Sequence, residues 1–89
     1  MRRAQSFNLG RTLQEHRKFD IKVPRGSVFL HCDLDRDIVW FEVEHKTEIE
    51  LRSFRLYGPD EPIDLDFKFC KTIAGRTRET TLHLYEKVR

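Results

Sequence analysis

Apolar and polar residues alternate along much of this chain, most clearly between residues 63 and 73. Ile63, Leu65, Phe67 and Phe69 occupy every second position, with aspartate or lysine between them. Because successive side chains of an extended strand point to opposite faces of a sheet, this spacing predicts one strand with one buried face. The whole run 63–73 is therefore assigned to a single strand.

Similar alternation predicts five further strands, at residues 18–23, 28–32, 38–44, 48–57 and 79–86. The run 38–44 begins with apolar residues on both faces, which is typical of a strand in the middle of a sheet. Within 48–57 the apolar residues change from odd to even positions, which predicts a β-bulge or a break into two strands. The side chains that we expect to face the core are Phe19, Ile21, Val23, Val28, Leu30, Cys32, Trp40, Phe41, Leu82 and Leu84.

Turn residues separate these runs, notably in the segments 24–26, 33–37, 58–62 and 74–78. No window has the apolar spacing of a helix of useful length. The sequence therefore predicts an all-β, mainly antiparallel fold, a six-stranded sandwich or partly open barrel with little or no helix. Residues 13–89 form its single β domain. Residues 1–12 are either a loose basic arm or an edge strand that includes Phe7 and Leu9.

The chain has 89 residues, of which 38% are hydrophobic and 11% aromatic, enough for one small core. Because so small a core stabilises a domain by a narrow margin, we expect a homo-oligomer. No apolar stretch is long enough to span a bilayer, and no signal segment opens the chain. We therefore expect a soluble protein of the cytoplasm.

Charge is divided along the sequence although the net charge is only +2. Residues 1–32 carry seven Lys or Arg against two acids, residues 33–66 four against eleven, and residues 67–89 six against two. A nucleic-acid-binding protein usually keeps its basic excess on one unopposed surface. We therefore do not expect a nucleic-acid partner. Solvated strand faces and charge-complementary assembly both stay open as explanations.

The sequence contains no convincing metal-binding or catalytic motif. Asp33, Asp35, Asp37 and Glu44 match positions of a calcium-loop template, but Ile38 stands where that loop needs glycine, so a polar hairpin turn explains the aspartates. The histidines lack zinc-ligand spacing, and no serine lies in a nucleophile motif. Cys32 and Cys70 are expected to be reduced thiols packed in strands. We expect neither a metal, nor a cofactor, nor an enzyme.

One cluster does indicate binding. Arg52, Arg55 and Tyr57 are followed at once by the proline-rich loop that carries Asp60 and Glu61. Arginine forks and an aromatic ring beside a rigid loop are common anchors for phosphate, carboxylate or a protein partner. We take these five residues as the candidate site. An ordinary exposed strand is the alternative.

Several short motifs resemble a small phage-encoded family of uncharacterised domains. The matching pieces span about residues 13–86 and are Val23-Pro24-Arg25-Gly26, Val28-x-Leu30, Trp40, Arg52-x-Phe54-Arg55-x-Tyr57-Gly58, Pro62-Ile63 and His83-Leu84-Tyr85-Glu86. Members usually carry Gly-Thr-Gly after the Arg/Phe strand, where this chain has Tyr57-Gly58-Pro59-Asp60. The resemblance implies a viral origin and a compact β fold, without an established activity.

Two functions follow as expectations. The first is a non-enzymatic phage accessory protein that binds and inhibits a host or anti-phage defence protein, such as an anti-CRISPR or similar anti-defence inhibitor, with its charged faces steering association. The alternative is an oligomeric protein that sequesters a nucleotide-like small molecule in pockets lined by Arg52, Arg55 and Tyr57.

Overall fold

Seven strands form two antiparallel sheets that pack face to face without closing into a barrel. The computed structural model describes residues 1–45 and 48–88, apart from the side chain of Gln14. The elements are β1 (Arg2–Asn8), α1 (Thr12–His16), β2 (Lys18–Pro24), β3 (Val28–Asp33), β4 (Ile38–Glu44), β5 (Ile49–Tyr57), β6 (Phe67–Ile73) and β7 (Leu82–Lys87), with a 3-10 turn (Arg78–Thr80) before β7. Sheet A has the order β1-β4-β3, and sheet B has the order β2-β5-β7-β6. The all-β prediction is confirmed, with seven strands instead of six.

The core lies between the two sheets and is rich in aromatic rings. Phe41 of sheet A meets Phe54 of sheet B with ring centroids 5.8 Å apart, and Phe19 stacks on Phe54 at 4.9 Å. Ile21 and Val23 are buried on the same face of β2 as Phe19, as their alternation predicts. The central position predicted for the run 38–44 is also confirmed, because β4 lies between β1 and β3.

The N-terminal segment forms an edge strand. Residues Arg2–Asn8 pair with β4 from Arg2 opposite Glu44 to Asn8 opposite Ile38. Phe7 and, just after the strand, Leu9 pack against the core, and the Phe7 ring meets Phe41 edge to face at 5.9 Å. Of the two interpretations of residues 1–12, a loose arm or an edge strand, the structure agrees with the edge strand. The domain boundary at residue 12 stays a prediction.

A single helical turn, α1, was missed by the sequence patterns because it is too short to show helical spacing. It places Leu13 in the core, and Arg17 ends it in a left-handed conformation with φ of 54°. The Arg17 amide donates to the Leu13 carbonyl at 3.0 Å, which closes the turn. No helix in the described ranges is long and apolar enough to cross a membrane.

Of the three residues predicted to face inward from β3, Val28 and Leu30 are exposed and Cys32 is buried, because the strand contains a β-bulge at Leu30. Before the bulge Phe29 faces the core and Val28 is exposed, whereas after it Cys32 is buried. One extra residue inverts the alternation. Trp40 was also wrongly assigned to the core. It lies on the outer face of β4 and is 38% exposed, while its neighbour Phe41 is fully buried.

The bulge or break predicted within residues 48–57 is wrong. β5 pairs with β2 in one unbroken register from Ile49 to Arg55. The apolar pattern changes parity because Ile49 and Leu51 point outward and are exposed, while Arg52 takes an inward position that sequence patterns assign to an apolar residue.

The strand predicted for residues 63–73 is wrong in its first half and in its buried face. β6 begins only at Phe67, and Ile63 and Leu65 lie exposed in the loop before it. Phe69 is exposed as well, because the odd residues before a bulge at Cys70 point away from the core. After this bulge the parity inverts, and Ile73 packs against the core.

Candidate binding surface

The outer face of sheet B carries a continuous row of cationic and aromatic side chains. The strand register places Lys18 beside Arg55, Arg55 beside Tyr85, and Tyr85 beside Phe69. Cross-strand neighbours in a sheet point to the same side, so the row crosses all four strands. We call these four residues the aromatic–basic face.

Tyr85 lies at the centre of an edge-to-face aromatic cluster. Its ring centroid is 5.3 Å from that of Tyr57 and 5.6 Å from that of Phe69, and Phe67 meets Tyr57 at 6.1 Å. Such packing fixes the rings in place. Tyr57 is buried beneath the cluster, whereas Phe69 is 51% exposed at its edge. Phe69 is therefore the ring that a partner can reach.

Arg55 is held over this cluster by two contacts. Its guanidinium carbon lies 5.0 Å from the Tyr57 ring centroid, and Nη1 is 3.6 Å from Asp64 Oδ2. The Tyr57 hydroxyl donates to the same carboxylate oxygen at 3.3 Å, and burial raises the pKa of that hydroxyl. Arg55 itself remains exposed, so a positioned cation is presented to solvent on the same face as Phe69, with Tyr85 between them.

Exposed aliphatic side chains extend the apolar part of this surface. Ile49 and Leu51 project from the outer face of β5, and Ile63 and Leu65 from the loop before β6. Single exposed apolar residues are ordinary on protein surfaces, but several on one face are typical of an interaction site.

The two outer faces of the sandwich differ in charge. Outward positions on the strands of sheet B are held by four cations and one acid, which are Lys18, Lys22, Arg55, Lys87 and Asp20. The corresponding positions of sheet A are held by one cation and three acids, which are Arg2, Asp33, Glu42 and Glu44. The charge division along the sequence thus becomes a division between two surfaces.

Arg52 does not belong to the aromatic–basic face. It lies on the opposite side of β5, where Nε and Nη2 donate to the two carboxylate oxygens of Glu86 at 2.6 and 2.7 Å. Nη1 also donates to the Ser27 carbonyl, and the guanidinium lies over the rings of Phe41 and Phe54. The hydrogen bonds to Glu86 raise the pKa of Arg52. This arginine therefore joins the two sheets, and no single pocket brings it together with Arg55.

The two acids of the candidate site shape the loop that follows β5. Glu61 Oε1 accepts a hydrogen bond from the Gly58 amide at 2.5 Å, and Asp60 adopts a left-handed φ of 62°. Both side chains are exposed, and neither has a contact with Arg52. Of the five candidate residues, the structure brings only Arg55 and Tyr57 together.

A polar cleft of about 810 Å³ opens in sheet B beside the Arg52–Glu86 pair, and both residues of the pair line it. It is lined by residues 50–53 of β5, with Asp66, Glu86 and Lys87 opposite. Because Glu86 neutralises Arg52, an anionic ligand in this cleft would have to compete with an existing bidentate ion pair.

The cysteines and the aspartate turn show no reactive arrangement. Cys32 and Cys70 are both free, and burial followed by the charges of Asp33 and Asp37 raises the pKa of the Cys32 thiol to about 12. Such a thiol stays protonated at neutral pH. Residues 34–37 form the predicted hairpin turn, and no cluster of metal ligands occurs in the ranges that the structure describes.

Sequence reasoning missed Lys18, Phe69 and Tyr85 as members of one surface. The three lie on three different strands and meet only through the pairing register. The one local signal was the mixture of cationic, aromatic and apolar residues in the runs 18–23 and 63–73, which supply the two outer strands of sheet B.

Fold and surface together define a small two-sheet β sandwich with an aromatic and cationic outer face. The chain belongs to the family described as Domain of unknown function (DUF7352), whose model matches residues 11–89. The match leaves out β1. Neither a curated protein nor a solved structure matches the chain.

Proposed function

We propose that this protein is a non-enzymatic binding protein that docks an acidic partner protein on its aromatic–basic face. The observation that carries the proposal is the row of two cations and two aromatic rings across sheet B, which ends in the exposed Phe69. Aromatic and arginine side chains dominate the binding energy of protein interfaces. The cationic excess around the row favours an acidic surface and speeds its association.

A protein partner fits this face better than a nucleic acid does. Stacking of bases needs open ring faces, whereas the rings of Tyr57, Phe67 and Tyr85 pack against one another. The aliphatic side chains of Ile49 and Leu51 beside them suit a protein surface.

The finer part of the proposal is that the protein is phage-encoded and inhibits a host or defence protein in the host cytoplasm. It is supported by the resemblance of short motifs and by a charged face suited to rapid capture. The nucleotide-sequestering alternative draws support only from the volume of the cleft beside Arg52. A homo-oligomer stays a prediction that light scattering can check.

The test compares matched aromatic substitutions on the two sheets. A partner captured by cross-linking from cells is purified, and its affinity for the protein is measured by calorimetry. Phe69→Ser and Arg55→Glu should each weaken binding about tenfold or more, and added salt should weaken it further. Trp40→Ser, at an aromatic residue that is 38% exposed on the outer face of sheet A, should leave the affinity unchanged.

Three results would overturn the proposal. The first is a partner whose affinity ignores Phe69 and Arg55, and the second is tighter binding of single-stranded RNA than of any protein. The third is a nucleotide that raises the melting temperature and loses this effect in Arg55→Ala, which would favour the alternative.

A further inference from the structure

Sheet B is open between β5 and β7 along part of its length. β5 pairs with β2 from Ile49 onward, but its pairing with β7 begins only at Phe54. β7 stays with β6 out to Lys87, and the Val88 amide donates to the Asp66 carbonyl at 2.7 Å. The first half of β5 therefore has a strand on one side and the polar cleft on the other.

The backbone of β5 turns unpaired polar groups into this cleft. The Leu56 amide donates to Arg17, and the Glu48 carbonyl accepts from Arg25, so even-numbered residues bond on the β2 side. Alternate residues of an antiparallel strand bond on opposite edges. The N–H and C=O groups of Leu51 and the N–H of Ser53 thus point into the cleft, where no strand of the described chain pairs with them. The Ser53 carbonyl is taken up by the pairing of Phe54 with Glu86, which engages Lys87.

The four outer edges of the two sheets are protected against strand addition, and this inner edge is not. β1 begins with two arginines, and β2 carries Lys18 and Lys22 and ends in Pro24. β3 and β6 each contain a β-bulge. Edge charges, proline and bulges are the devices by which sheets avoid pairing with other chains. Leu51 and Ser53 have none of them.

We propose that the cleft binds an extended peptide segment of a partner protein, which adds as a strand to residues 49–53 of β5. Only a polypeptide offers alternating N–H and C=O groups at the spacing of Leu51 and Ser53. The cleft lining carries three acids, Glu50, Asp66 and Glu86, against the two cations Arg52 and Lys87, a balance of one negative charge. Arg52 pairs with both Glu86 and, at 4.0 Å, Glu50, so Asp66 is the acid of the lining farthest from that ion-pair network. The exposed Leu51 side chain adds an apolar contact.

The segment should accordingly combine apolar residues with at least one basic residue. This chemistry differs from that of the acidic partner proposed for the aromatic–basic face. The two sites share Leu51 and Lys87 at their border, but the residues changed in their tests, Phe69 and Arg55 for the face and Ser53 for the cleft, are separate. The two proposals can therefore fail or succeed independently.

The experiment selects linear seven-residue peptides from a random displayed library on the full chain, with counter-selection on Ser53→Pro. Proline at residue 53 removes the amide that points into the cleft. Enriched peptides are synthesised, their affinities are measured, and amide exchange is followed residue by residue by NMR. We expect at least tenfold slower exchange at Leu51 and Ser53 and at least tenfold weaker binding by Ser53→Pro. Trp40→Ser, a change on the outer face of sheet A, should leave peptide binding unchanged.

Peptides N-methylated at alternate amides provide the matched control, and they decide the question even if Ser53→Pro does not fold. They should lose binding when the methyl groups block the amides facing β5. The proposal is overturned if no peptide survives counter-selection, or if the affinity is unchanged whichever of the two sets of amides is N-methylated. It is also overturned if the amides that become protected from exchange lie elsewhere on the protein. The same holds if Leu51 and Ser53 become protected when the protein concentration alone is raised, because a second copy of the chain would then be the occupant.

Discussion

Arg52 shows how one polar side chain can occupy a core position. Its guanidinium is paired with Glu86, and both side chains are largely buried, with exposed fractions of 16% and 20%. Removing one member leaves the other as an uncompensated charge between the sheets. Arg52→Met should therefore lower the free energy of unfolding by about 2–3 kcal/mol, measured by urea denaturation.

The double variant Arg52→Met/Glu86→Leu should recover most of that loss, because it replaces the whole pair by apolar side chains. Arg25→Ala is the control, since it breaks the exposed 3.0 Å pair with Glu48 and should change stability by less than about 1 kcal/mol. A double variant no more stable than Arg52→Met would contradict the structural role assigned to this pair.

At the scale of elements, the loop between β6 and β7 depends on one close approach of the backbone. A Cβ placed on Gly75 would overlap the carbonyl of Thr80, which the loop holds by hydrogen bonds between Thr77 and Thr80. Gly75→Ala should lower stability by about 1–3 kcal/mol in thermal or urea unfolding, because backbone must move.

Gly58→Ala, in the loop that follows β5, is the matched control for Gly75→Ala. The nearest atom to an added Cβ there is the Glu61 carboxylate oxygen at 3.1 Å, on a side chain that can rotate away. The loss should therefore be clearly smaller than at Gly75. Equal losses of stability in the two variants would mean that the close approach of Gly75 to Thr80 does not determine the cost of the substitution.

The elements also show how far alternation alone predicts this fold. β2 and β4 were predicted with their buried faces almost intact, because neither contains an irregularity on that face. β3 and β6 were not, because a bulge at Leu30 or Cys70 inverts the parity and leaves no mark in composition. In β5 the inward Arg52 disguised a regular strand as a broken one.

The candidate site was predictable only where its residues are neighbours along one strand. Arg55 and Tyr57 are two positions apart on the outer face of β5, so the sequence grouped them correctly in space. Arg52 was joined to them by its closeness along the sequence, although an odd separation places side chains on opposite faces of a strand. Lys18, Tyr85 and Phe69 depend on strand order, which local patterns do not contain.

At the scale of the whole molecule, both proposed binding sites lie on one of the two sheets. β1 closes sheet A and lies outside the residues matched by the family, whereas both proposed binding sites belong to sheet B. Deleting residues 1–10 removes the Phe7 contact with Phe41 and leaves β4 as an edge strand. We expect a loss of about 2–4 kcal/mol in the free energy of unfolding, comparable to truncation of a large apolar side chain.

Binding should respond differently to this deletion. At temperatures where the shortened chain remains folded, its affinity for the partner of the aromatic–basic face should match that of the full chain, because no residue of β1 reaches that face. Phe7→Ala should lower the free energy of unfolding by less than the deletion does, because it removes the ring packing but keeps strand β1. A shortened chain that is folded by circular dichroism yet binds at least tenfold more weakly would show that the sheets are coupled, and that the outer face of sheet B is not an independent docking surface.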